Sequence, residues 1–192
     1  MSNIVYNLLI NGASGVTVGG TGATIKYFPN VPGASIGVSS TSNGYLRVPG
    51  NNAANGQRLT VRAGGNFEVG AGGTCPTVTL ALYPVTFVGT VGTIGATAIV
   101  SYASTLQNLT GTNYPFALNA ELCGDSGSGL VQILSGQILV DGTNTAATPG
   151  LVTGLTAINF ANSIPFGVVM AVTFSVSESG NSATLFQFDL QQ

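Results

Sequence analysis

The chain has 192 residues, of which 5% are charged, and carries a formal charge of −2 with four basic and six acidic side chains. An average soluble domain is about 25% charged. One sizeable β domain fits this length, and so few cations in a net-negative chain argue against nucleic-acid binding. The longest nearly apolar run, Pro165 to Phe174, falls well short of the roughly 18 residues a membrane-spanning helix needs.

Met1 to Asn7 has no basic segment and no small-residue cleavage site, so no signal peptide is expected. Ile4 to Ile10 reads as a first strand or extended arm, and Asn11 to Gly22, rich in Gly and Thr, as a loop. Thr24 to Phe28 is a short strand stopped by Pro29 and Pro32. After a turn at Ser39 to Gly44, Tyr45 to Val48 is a brief strand, and Gly50 to Gly56 is a loop.

From Gln57 the alternation tightens. Leu59 and Val61 share one face, with Arg58, Thr60 and Arg62 on the other. Gly64-Gly65-Asn66 reads as a turn into Phe67-Glu68-Val69. Thr77 to Phe87 is a long strand in which Pro84 predicts an edge or a bulge. Gly95 to Tyr102 and Tyr114 to Leu122 are further strands, followed by a turn at Gly124 to Gly129. Leu130 to Val140 is a strand, or a hairpin broken at Ser135-Gly136. Asp141 to Gly150 is a loop and Leu151 to Phe160 a strand.

The alternation is cleanest at the end. Val168, Met170, Val172, Phe174 and Val176 lie on one face of a first arm; Phe186, Phe188 and Leu190 lie on one face of a second. Ser179-Gly180-Asn181 between them predicts a hairpin over 167–190. No segment keeps a helical period over three turns. The fold expected is all-β: an antiparallel two-sheet jelly-roll sandwich of about eight strands counted from Gln57, with an extended N-terminal region. The chain divides into 1–55, an arm or extension with short strands, and 56–192, the jelly-roll domain.

No catalytic constellation emerges. Gly124-Asp125-Ser126-Gly127 matches the nucleophile loop of chymotrypsin-like proteases, but that chemistry uses a histidine base and the chain has no histidine. Gly33-Ala34-Ser35-Ile36-Gly37 fits a nucleophile elbow without the helix or the base. Gly19-Gly20-Thr21-Gly22 has neither phosphate-loop nor dinucleotide spacing. A glycosidase carboxylate pair would have to come from Glu68, Glu121, Asp125, Asp141, Glu178 and Asp189, in a chain without tryptophan. Two cysteines, Cys75 and Cys123, cannot complete a zinc site without histidine; a single disulfide is open to them but not demanded, and the expectation is two reduced, mostly buried thiols. The chain is therefore expected to be no enzyme, with no cofactor and no metal.

Charge depletion marks interface cores, so much of the surface is expected to lie against copies of the chain or a larger assembly. All four cations, Lys26, Arg47, Arg58 and Arg62, precede every acidic residue. They are the candidate contacts to an acidic surface. Val169 and Ala171, opposite the face begun by Val168, are the candidate contacts between copies.

Three pieces in order carry a resemblance. They are Gly56-Gln57-Arg58-Leu59-Thr60-Val61 leading into Val78-Thr79-Leu80-Ala81-Leu82-Tyr83, then Phe116 to Leu122, then the last arm with Asn181-Ser182-Ala183-Thr184-Leu185. This pattern resembles small jelly-roll structural proteins of tailed-bacteriophage virions, over roughly Gly56 to Gln192. The resemblance implies a capsid decoration (cement) protein, typically a homotrimer, that bridges subunits of the major capsid protein on the outer capsid surface. Such a protein is made in the host cytoplasm and has no nucleic-acid or membrane partner. The alternative from another class is a receptor- or glycan-binding module of a phage tail fibre or adhesin.

Overall fold

The computed structural model describes residues 5–9, 16–20, 25–28, 39–40, 46–48, 58–70, 77–88, 91–103, 111–124, 131–140, 143–145 and 166–191. Every regular element among them is a strand: β1 (Val5–Leu9), β2 (Val16–Gly20), β3 (Lys26–Tyr27), β4 (Ser39–Ser40), β5 (Leu46–Val48), β6 (Arg58–Val69), β7 (Val78–Val88), β8 (Val91–Ile94), β9 (Val100–Ala103), β10 (Gly111–Gly124), β11 (Val131–Val140), β12 (Thr143–Thr145), β13 (Phe166–Phe174) and β14 (Asn181–Gln191).

They form two antiparallel sheets. Sheet A runs β1-β14-β6-β10-β11-β12, with β2 also on β14. Sheet B runs β3-β13-β7-β8-β4, with β5 on β13 and β9 on β7. Four groups of antiparallel pairings define the route: β1 and β2 with β14, β3 and β5 with β13, β6 with β10, and β7 with β8 and β9. Successive pairings fall in opposite sheets, which is a ribbon rolled into a jelly roll. Strands β11 and β12 extend sheet A beyond β10. The expected all-β sandwich is therefore present. The strands before residue 55 pair into both sheets and supply the first two positions of the roll.

The core follows from the alternation. Leu59, Val61, Ala63, Phe67 and Val69 of β6, and Phe116, Leu118, Ala120 and Leu122 of β10, face inward from sheet A. Val78, Leu80 and Leu82 of β7, and Val168, Met170, Val172 and Phe174 of β13, meet them from sheet B. Each large apolar side chain so buried contributes roughly 1.5–3 kcal/mol. The Phe67 and Tyr114 rings stack with centroids 5.4 Å apart.

Several local expectations are corrected. The two last arms do not form a hairpin: β13 belongs to sheet B and β14 to sheet A. Paired arms would turn their apolar faces the same way within one sheet. Here the faces look at each other across the sandwich, and residues 175–180 span the gap of about 10 Å between sheets. Gly64-Gly65-Asn66 is no turn, because β6 runs straight through it with partners on both sides: Gly65 faces Phe116 of β10 and Leu185 of β14. Gly95 to Tyr102 is not one strand; bends separate β8 from β9. The expected loops 11–22 and 141–150 contain β2 and β12. Ser135-Gly136 does not break β11, which pairs with β10 on both sides of it. The turn at 124–129 beyond Gly124 and the strand at 151–160 lie outside the described residues.

Pro84 sits in the interior of sheet B, not at an edge. It pairs with Val168 on one side, and on the other β8 ends at Val85↔Ile94 while β9 begins at Leu82↔Val100. The Pro84 carbonyl accepts from Gly95 N at 2.8 Å. In an antiparallel strand the N and C=O of a residue point the same way. The missing N–H therefore faces the gap between β8 and β9, where no ladder bond is lost.

Gly65 has a steric reason. A Cβ there would collide with the Thr184 carbonyl oxygen and come within 2.8 Å of Phe116 Cζ, whereas one on Gly64 would meet Gln187 Oε1 at an ordinary 3.7 Å. Gly65→Ala should therefore cost about 1–3 kcal/mol and lower the melting temperature by several degrees. Gly64→Ala should leave it nearly unchanged. Paired thermal melts followed by circular dichroism check the contrast.

Candidate functional site

The two outer faces of the sandwich differ in chemistry. On sheet A the outward residues of β6 are Arg58, Thr60, Arg62, Gly64, Asn66 and Glu68, since Leu59, Val61 and Ala63 point in. Register adds Asp189 of β14 and Asn119 of β10 beside Arg62, and Gln191 and Glu121 beside Thr60. Arg58, Arg62 and Asn119 are exposed, while Glu68 and Glu121 are half-buried and Asp189 is buried. Gln187 Nε2 donates to Asp189 Oδ2 at 2.7 Å. The other oxygen, Oδ1, is buried without a hydrogen-bond partner among the described residues. Ser182 Oγ donates to Glu68 Oε2 at 3.4 Å. The exposed charges on the described part of this face are thus both cationic, while its carboxylates are half-buried or buried.

Part of the outer face of sheet B is apolar. Val85, Phe87, Ile94 and Val169 form a second buried cluster, with Tyr27 and Tyr83 packed on it. Ala171 stands opposite Tyr27 and Val169 opposite Tyr83 in the ladder. The small Ala171 side chain leaves room for the two rings, which meet edge-on with centroids 5.6 Å apart. Burial raises the Tyr27 phenol above its ordinary value, and the neighbouring Tyr83 adds to the rise; burial alone raises Tyr83.

The four sequence-predicted cations do not form one patch. Arg58 and Arg62 share the outer face of sheet A. Lys26 is half-buried on β3 of sheet B, on the same side of that strand as the core residue Phe28. Arg47 belongs to β5, also in sheet B, opposite Gly167, with its side chain outside the described residues. The predicted contacts between copies are corrected: Val169 is 0% and Ala171 1% exposed within a single chain. They lie opposite the main core, as the alternation required, but both are already buried there, Val169 within the second apolar cluster. Cys75, Ser126 and the side chain of Cys123 lie outside the described residues.

The alternation also misplaced Phe186, assigned to the core with Phe188 and Leu190. The register of β14 shifts between Leu185 and Gln187, and Phe186 is 37% exposed. A signal was present, because adjacent apolar residues at Leu185-Phe186 mark a change of phase in the two-residue period.

No family model matches the chain, and no curated protein does. A solved structure similar to it is that of an alginate lyase, at 9% identity and a TM-score of 0.31, covering 79% of this chain and 71% of that one. That neighbour is an enzyme, where this chain was expected to be none; at this TM-score the likeness decides nothing about activity.

Two outcomes follow from the burial. Val169→Asp should place an unpaired charge in the second apolar layer, at a cost of several kcal/mol. Circular dichroism should show loss of the strand signal, and size exclusion should show no folded monomer. The tyrosines bind their protons more tightly folded than unfolded. Their contribution to stability is complete below about pH 10 and is lost as pH rises through the raised folded values. Denaturation midpoints measured upward from about pH 9 should fall less steeply in a Tyr27→Phe, Tyr83→Phe variant.

Proposed function

We propose that this chain is a structural protein of a virus particle, a decoration (cement) protein that docks on the capsid shell, bridges its subunits and associates as a homotrimer. One observation carries the reading: Arg58 and Arg62 project from a polar sheet face whose carboxylates are withdrawn. Such a face suits an acidic protein surface, because charge complementarity sets docking geometry and speeds encounter. The resemblance of the β6, β7, β10 and β14 segments to phage virion jelly rolls supports the same reading. A second reading, a receptor- or glycan-binding module, is favoured by the half-buried Tyr27–Tyr83 pair, since aromatic rings with polar tips suit ligand contact.

Sedimentation of the purified chain with shells lacking it is the test. The chain should co-sediment and raise the temperature at which the shells rupture, and light scattering should give three copies. Arg58→Glu with Arg62→Glu should reduce occupancy by on the order of tenfold, more at low salt where screening is weak. A chain that stays monomeric and leaves shells unchanged would favour the binding-module reading.

A further inference from the structure

β14 changes phase at its bulge: Ala183 and Leu185 are buried before it, Phe188 and Leu190 after it. The residue in excess is Phe186, whose ring is turned out of the core. Bulges re-aim side chains in this way. On the outward face the strand beside it offers Gly64, which has no side chain to shelter the ring. Gly65 is required by packing but Gly64 is not, since a Cβ there would find only ordinary contacts.

Arg62 lies two residues along β6 from Gly64, and Arg58 four further. At about 3.3 Å per residue the stretch from Gly65 to Arg58 covers roughly 23 Å. A surface of that span fits within one side of a standard protein interface. Gln187 holds the Asp189 carboxylate, so the nearest acid is not presented to a partner.

We infer that Phe186, Arg62 and Arg58 form one docking epitope, an aromatic anchor with two cations beside it, whose partner is an acidic protein surface containing an apolar pocket. This rests on the decoration reading, and states which surface meets the shell and what the shell must offer. Aromatic residues and arginine dominate the energetics of protein interfaces.

The test compares Phe186→Ser, Phe186→Tyr and the Arg58→Glu, Arg62→Glu pair with the wild-type chain in shell sedimentation at low and high salt. Circular dichroism and thermal melts confirm folding. Phe186→Ser should weaken binding by about tenfold or more, by the same factor at both salts. Phe186→Tyr keeps the ring and should bind as wild type. The arginine variant should lose more at low salt. Wild-type chain that binds while Phe186→Ser binds equally well overturns the epitope and leaves the decoration reading standing. Wild-type chain that binds no shell overturns both. If Phe186→Ser instead dissociates the oligomer or abolishes binding to a glycan array, the ring serves another partner and the epitope as stated is wrong.

Discussion

Asn181 holds the place where the chain passes from one sheet to the other. It is fully buried, and a buried amide is tolerated only when its polar atoms are satisfied. Its Oδ1 accepts from Gly70 N at 2.9 Å, and its Nδ2 donates to the Val176 carbonyl at 3.0 Å. Its own backbone N–H donates to Glu178 O at 3.2 Å. One side chain thus joins the end of β6 to both ends of the crossing. The backbones there are close: a Cβ on Gly180 would come within 2.9 Å of Gly70 Cα. Ser175 adds a tie to sheet B, its Oγ accepting from Thr77 N at 2.7 Å. With this corner fixed, β13 and β14 are delivered to opposite sheets in a register that buries Val168 to Phe174 against Ala183 to Leu190.

Much of the fold could be read from alternation. Leu59 and Val61, Val78 to Leu82, Phe116 to Leu122, and Val168 to Phe174 all occupy the core faces assigned to them. Alternation tells which side of a strand is buried, but not which strand lies beside it. That is why the last two arms were taken for a hairpin: Ser179-Gly180-Asn181 has turn chemistry, and whether a turn joins neighbours or crosses between layers depends on partners far away in sequence. Glycine misled in the same way. At Gly65 it marks close approach by Phe116 and Thr184, not a change of direction.

The candidate site was legible only in part. Arg58 and Arg62 fall on an outward face because they alternate with core residues. Lys26 and Arg47 are equally cationic, but the roll places their strands in the other sheet. Phe186 escaped because one extra residue inverts every later assignment, and the period was carried through it unbroken. Val169 and Ala171 show the complementary limit. Their face was identified, but a sequence period assumes one buried side, and around Val169 and Ala171 sheet B is buried on both.

The pairing order has a consequence for synthesis. β14 lies between β6 and the pair β1 and β2, while β13 lies between β7 and the strands β3 and β5. The strands made first in each sheet therefore wait for the strands made last. While the chain grows, β6, β7 and β10 can assemble from nearby segments, but both sheets keep an open seam until residues 166–191 emerge. Closing such seams over long sequence separations is slow and leaves unpaired edges exposed. The low charge of this chain gives those edges little protection, so a nascent chain depends on prompt completion of its last two strands to stay apart from its neighbours.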